Sequence, residues 1–115
     1  MGMETITTEA ELAAAMAAPL AFIYKHSPIC PSSAIAFDEV LAFQQRRDVP
    51  VYLVDVLDQR PLSRFIAERT GVIHASPQAI LVRGGVALWH GSHRSVRLEA
   101  LTRALERLEP EGPPA

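Results

Sequence analysis

Apolar positions along this chain switch between helical and strand spacing, and the switches coincide with start and stop signals. Thr8-Glu9-Ala10-Glu11 has the form of a capping box and predicts an Ala-rich helix to about Ala17, which Pro19 stops. Leu20-Ala21-Phe22-Ile23-Tyr24 is an unbroken apolar run of strand length. A helix follows with Cys30 near its N-cap, Pro31 at its first position and an apolar stripe of Phe37, Val40 and Leu41; Arg46 and Arg47 suit the negative end of its dipole. Residues 51–56, Val-Tyr-Leu-Val-Asp-Val, form a second strand rich in β-branched side chains. Pro61 opens another helix with Leu62, Phe65 and Ile66 on one face, and Gly71 supplies its stop. Gln78 to Arg83, Gly84-Gly85, and Val86 to His90 then read as a β-hairpin whose glycines accept positive φ. Ser95 is placed to cap a last helix with Leu98, Leu101, Leu105 and Leu108 on one side, and residues 110–115 are expected to fray.

Two strands joined through a helix favour a parallel, right-handed βαβ unit, and the later hairpin must add antiparallel strands. The predicted architecture is α/β: a four-stranded mixed sheet, βαβ then αββα, with helices on both faces and an extra N-terminal helix, which is the thioredoxin-like order. In that topology the hairpin's first strand runs against the first strand of the βαβ unit. Pro77, His90, Gly91, Ser92 and His93 are thereby brought to the sheet end that carries Cys30.

Composition narrows the function. A chain of 115 residues, 49% hydrophobic and 21% charged, suits a single domain spanning 1–115 with its core over about 8–108. A net charge of −2 offers no general basic field for nucleic acid or an anionic membrane, and no apolar run approaches the roughly 20 residues of a membrane helix. One cysteine cannot close an internal disulfide, and no charged segment plus apolar run opens the chain, so a reducing cytoplasm is the expected compartment. Nothing in the apolar pattern demands a second subunit, and a monomer is expected.

Cys30 carries the candidate chemistry. A thiol at a helix N-terminus faces unpaired N–H groups and the positive dipole end, which favour thiolate; unperturbed, it would be only about 3% ionised at pH 7. Cys30-Pro31-Ser32-Ser33 is a Cys-x-x-Ser, a Cys-x-x-Cys with oxygen in place of its second sulfur. One helical turn is expected to aim the Ser33 hydroxyl at Cys30, while Ser33 cannot act as a disulfide partner. Lys25 and His26 precede the thiol and can add positive potential, although Lys25 reads as a solvated charge at a strand end. His90 and His93 read as surface histidines, with only one of Trp89 and His90 facing a given side of the sheet. The spacing of the four histidines and one cysteine is not that of a zinc site, and Gly84-Gly85 turns into a strand and not into a phosphate-binding helix.

Lys25-His26-Ser27 leading to Cys30-Pro31-Ser32-Ser33, then Ser76-Pro77-Gln78, then Trp89-His90-Gly91-Ser92-His93, together resemble the monothiol bacilliredoxins of the thioredoxin-fold superfamily. The resemblance runs from about Leu20 to Leu105. It implies an enzyme that removes bacillithiol, a low-molecular-weight thiol co-substrate, from mixed disulfides on S-thiolated client proteins, with no metal. It implies Cys30 as the attacking thiol and a cis Pro77 facing it. Ser33 joins Cys30 in the expected catalytic set; His26, Pro31, Ser76, Pro77 and His93 form the expected substrate-binding set. Two other readings stand beside it. One is an iron–sulfur cluster-binding module of the monothiol glutaredoxin kind, weakened because Pro31-Ser32 stands where those proteins carry Gly-Phe. The other is a thioredoxin-like adaptor without redox chemistry.

Overall fold

The computed structural model describes residues 3–108. The expected C-terminal tail over 110–115 lies outside them. The elements are β1 (Glu4–Thr5), α1 (Glu9–Met16), β2 (Ala21–His26), α2 (Pro31–Arg46), β3 (Val51–Asp55), α3 (Arg60–Thr70), β4 (Gln78–Arg83), β5 (Val86–Ser92), a 3₁₀ turn (His93–Ser95) and α4 (Leu98–Glu106). The sheet is mixed, in the order β1-β3-β2-β4-β5. It has five strands where the sequence predicted four. The addition, β1, is two residues long and lies parallel on the free edge of β3, with Glu4 opposite Tyr52 and Ile6 N–H donating to Leu53 O at 2.8 Å.

The remaining topology is as expected. β2 pairs parallel with β3 and antiparallel with β4, and β5 returns antiparallel to β4. The end of β2, the start of β4 and the end of β5 therefore share one edge of the sheet, which α2 approaches with its N-terminus. Gly84 and Gly85 make the hairpin turn at φ 53° and 86°, and Gly71 ends α3 at φ 73°.

Strand alternation divides the core in two. Ala21, Ile23, Ile80, Val82 and Val54 meet Leu12, Leu62 and Ile66 on the α1/α3 side. Phe22, Tyr24, Ala79 and Leu81 meet Val40, Phe43, Leu101 and Leu105 on the α2/α4 side. The buried face of α2 runs through Ser33, Ala36, Val40 and Phe43, with Phe37 and Leu41 half-buried beside it. The Thr8–Glu11 capping box forms: Thr8 Oγ1 accepts from Glu11 N–H, and Glu11 Oε1 accepts from Thr8 N–H, both at 3.1 Å. Ser95 does not cap α4. It lies in the 3₁₀ turn, the N-cap is Arg97, and the first-turn N–H of Leu98 is taken by Glu39 Oε1 at 3.0 Å, a side chain of α2. A partner 59 residues away thus replaces the local cap that the sequence suggested.

Candidate functional site

β2 ends at His26, and a tight turn in which Cys30 N–H donates to Ser27 O at 3.2 Å delivers the thiol to the start of α2. Cys30 is the N-cap, with extended backbone (φ −94°, ψ 123°), and Pro31 is the first helical residue. Proline fits there because its missing N–H would have no intrahelical acceptor. Cys30 is half-exposed. Its Sγ lies 3.0 Å from Ser32 Oγ. This hydroxyl, followed by the backbone N–H groups of Ser33 and Ser32, holds the thiol below the ordinary cysteine range; slight burial opposes them, and the Ser33 hydroxyl adds a last, small lowering. These groups all favour the anion, because each places positive hydrogen density toward the sulfur.

The Ser33 hydroxyl favours the thiolate only weakly, as expected of it, and it has a second task that the sequence did not signal. Ser33 is fully buried, and its Oγ accepts from Ser27 N–H at 3.3 Å, which ties the turn before Cys30 to the first turn of α2. Ser32, one residue earlier, is the hydroxyl within hydrogen-bond distance of sulfur.

Under the thiol lies Tyr24, buried within β2, donating to Ser33 O at 3.3 Å and standing 2.9 Å from His26 Nδ1. Burial, then the charge on Cys30, pushes the Tyr24 hydroxyl far above the usual tyrosine range, so it stays protonated. His26 is half-buried between Tyr24 and Phe37, with ring centroids at 5.5 and 5.3 Å. Burial holds it below the usual histidine value, with Asp55 opposing, so at neutral pH it acts by hydrogen bonding and not by positive charge.

The reading of Lys25 as a solvated charge is corrected. β2 extends two residues further than the apolar run, and alternation turns Lys25 into the α3 side, where its side chain is 0% exposed. Its Nζ has one long contact, 3.5 Å to Ser63 O, and burial lowers it to about 8. Ser63 Oγ in turn lies 2.9 Å from His74 Nδ1. The apolar-run signal ended at Tyr24 and could not show that the strand continued.

At the head of β4 the Ser76–Pro77 bond is cis, and Pro77 O accepts from His93 N–H at 2.8 Å. Ser76 Oγ is buried and, among the described residues, has no hydrogen-bond partner. Across the hairpin, Trp89 packs edge-on against Phe22, with ring centroids at 6.2 Å, and His90 points to the exposed face. His93, at φ 52°, stands beside Ser32 in a shallow groove with Ile35, Ala36, Arg94 and Arg97. Of the two histidines placed here by topology, His93 is thus the one next to the thiol's neighbour. Sequence reasoning passed over Ser32 as the sulfur's partner and over Arg94 and Arg97, which belong to a turn that periodicity does not signal.

Among the described residues no group of three or more His, Cys, Asp and Glu side chains is arranged to hold a metal ion, and no helix is long and apolar enough to cross a membrane.

Comparison with known proteins agrees with this geometry. A protein solved as a candidate oxidoreductase with a thioredoxin fold superposes with a TM-score of 0.85 at 31% identity, over 90% of this chain and 93% of that one. Thioredoxin from Trypanosoma brucei brucei (TM-score 0.79, 13% identity, 93% and 90% covered) and a mutant thioredoxin from Halobacterium salinarum NRC-1 (0.78, 14%, 96% and 93%) share the fold. The profile of the family described as Monothiol bacilliredoxin BrxC matches residues 3–101. With a lone, activated thiol at the N-cap of α2 on a thioredoxin fold, the chain belongs to the monothiol bacilliredoxin family of thiol oxidoreductases.

Proposed function

We propose that the protein is a monothiol oxidoreductase that clears bacillithiol from S-thiolated client proteins through Cys30. In the first step the Cys30 thiolate attacks the bacillithiol sulfur of a protein–bacillithiol disulfide. The Cys30–bacillithiol disulfide forms as the old S–S bond breaks, and the client leaves as thiolate and takes up a proton. In the second step a free bacillithiol thiolate attacks the adduct, releases oxidised bacillithiol and restores Cys30. The two exchanges conserve electrons, the external thiol being oxidised as the client is reduced.

The observation that carries this reading is the setting of Cys30: the sole sulfhydryl, half-exposed, with the Ser32 hydroxyl 3.0 Å away favouring its anion. In the proposed roles Ser32 steadies the thiolate, and Ser33 acts through its buried tie to Ser27, which fixes the turn. Pro31 sets the helix start, Ser76-Pro77 and His93 supply the facing wall, and His26 with Tyr24 forms the polar floor. Exposed Ile29 beside the thiol and Ile73 on the approach to Pro77 offer apolar contact to a client surface.

Intact mass after exposure to oxidised bacillithiol, then to free bacillithiol, with glutathione as the comparison, tests the proposal. One adduct on Cys30, formed readily at neutral pH and reversed preferentially by bacillithiol, supports it. Thiol-dependent turnover retained in Cys30→Ser or Cys30→Ala eliminates it.

A further inference from the structure

The groove beside the thiol has a chemical character of its own. Its walls are Ser32, Ile35, Ala36, His93, Arg94 and Arg97, and it encloses about 250 Å³. Ser32 is shared with the sulfur, so the groove begins within one hydrogen bond of Cys30. Among the described residues no carboxylate lines it, and neither Arg94 nor Arg97 has an ion-pair partner. The carboxylate on the next turn of α2, Glu39, is engaged by Leu98 N–H. Exposed Ile35, with buried Ala36 beside it, gives the groove an apolar component. The space is below the roughly 300–1,000 Å³ of pockets for drug-sized ligands, which suits one arm of a small disulfide.

The geometry points to a specificity subsite: Arg94 and Arg97 bind the carboxylate of an anionic low-molecular-weight thiol while its sulfur meets Cys30. This rests on the thiol-exchange reading and deepens it by naming the side chains that select the co-substrate. Guanidinium forks match carboxylates, and a basic groove raises the local concentration and encounter rate of an anion. In the step it serves, the Cys30 thiolate attacks one sulfur of R–S–S–R, Cys30–S–S–R forms, and the second R–S⁻ leaves; no further oxidant or reductant is needed.

The test uses the full chain and three symmetrical disulfides of similar size: dithiodipropionate (dianion), hydroxyethyl disulfide (neutral) and cystamine (dication). Adduct formation is followed by intact mass at low salt, each rate divided by that of the same disulfide with mercaptoethanol to remove intrinsic reactivity. The dianion is expected to exceed the neutral disulfide by roughly tenfold, with the dication slowest and the spread shrinking in salt. Arg94→Gln with Arg97→Gln should bring the dianion to within about twofold of the neutral disulfide, as the basic field of the groove is removed. The readout is the ratio of dianion to neutral rate within each protein, in which any general change in thiol reactivity cancels. Arg83→Gln, at the far end of the hairpin, should keep the full preference. Equal normalised rates in the wild type, or a preference that survives the double substitution, overturns the subsite while leaving thiol exchange standing. Failure of all three disulfides to react overturns both.

Discussion

Ser32 and Ser33 differ by one position and by what they hold. The Ser32 hydroxyl is 3.0 Å from sulfur, whereas that of Ser33 accepts a buried N–H of the preceding turn. Ser32→Ala is therefore expected to raise the Cys30 pKa and slow alkylation at pH 7 severalfold, the rate converging with the wild type at pH high enough to ionise both thiols; a pH titration of alkylation rate checks it. Ser33→Ala should leave most of the thiolate stabilisation but cost about 1–3 kcal/mol, because Ser27 N–H loses its acceptor in a buried setting. Chemical denaturation separates the two effects, and the opposite assignment would restore Ser33 as the sulfur's chief partner. Lys25 gives a second prediction. Its native pKa is about 8 against an ordinary 10.5, so between those values the unfolded chain binds more protons than the folded one and stability rises with pH. Below pH 8 both states are charged and the full cost of burying the ammonium is present. Lys25→Met should raise the unfolding free energy at pH 7 by on the order of 3 kcal/mol, a gain that shrinks above pH 8 and closes near the unfolded lysine's pKa. Denaturation midpoints at pH 7 and pH 10 decide it; equal gains at both would mean that packing, and not charge burial, is responsible.

Elements whose boundaries carry local chemistry were legible in the sequence, and those fixed by distant partners were not. The Thr8–Glu11 box, Pro31, Gly71 and the Gly84-Gly85 turn each encode a backbone geometry within a few residues, and each stands where expected. β1 is two residues long and exists because β3 has a free edge, a fact no local window contains. The start of α4 is likewise set by Glu39 of α2 and not by Ser95. The site divides in the same way: Cys30 and Pro31 carried local signals and a cis Pro77 was implied by the family resemblance alone, while burial of Lys25 and the Arg94–Arg97 wall depend on which way a strand or turn points after folding. Gly91 shows how close that tertiary fit is. A Cβ there would lie 2.7 Å from the Trp89 ring and 3.0 Å from Ser95 Cβ, with Ala79 paired across the ladder. Gly91→Ala is expected to cost about 1–3 kcal/mol by overpacking, and to displace the Trp89 ring from Phe22. Thermal melts and the Trp89 fluorescence spectrum should change together; an unchanged spectrum would mean that the 3₁₀ turn yields instead.

At the scale of the whole molecule, the fold gathers three segments far apart in sequence at one end of a sheet, and it provides only one sulfhydryl among them. In a dithiol protein of this architecture a second cysteine one helical turn on can attack the first sulfur within the same molecule, a step independent of any external thiol. Here Ser33 occupies that position, its oxygen is engaged below the surface, and an alcohol cannot exchange with a disulfide. Release of an adduct from Cys30 must therefore be bimolecular. With a purified Cys30 mixed disulfide and rising concentrations of free bacillithiol, the observed release rate is expected to be linear in thiol concentration with an intercept of zero, and the adduct should persist in its absence. Ser33→Cys is expected to lift that intercept above zero, because it restores an internal nucleophile at the spacing the helix turn already sets. A finite intercept in the unmodified chain would identify a second protein molecule as the resolving partner if it grew with protein concentration. An intercept independent of protein concentration would contradict a strictly monothiol cycle.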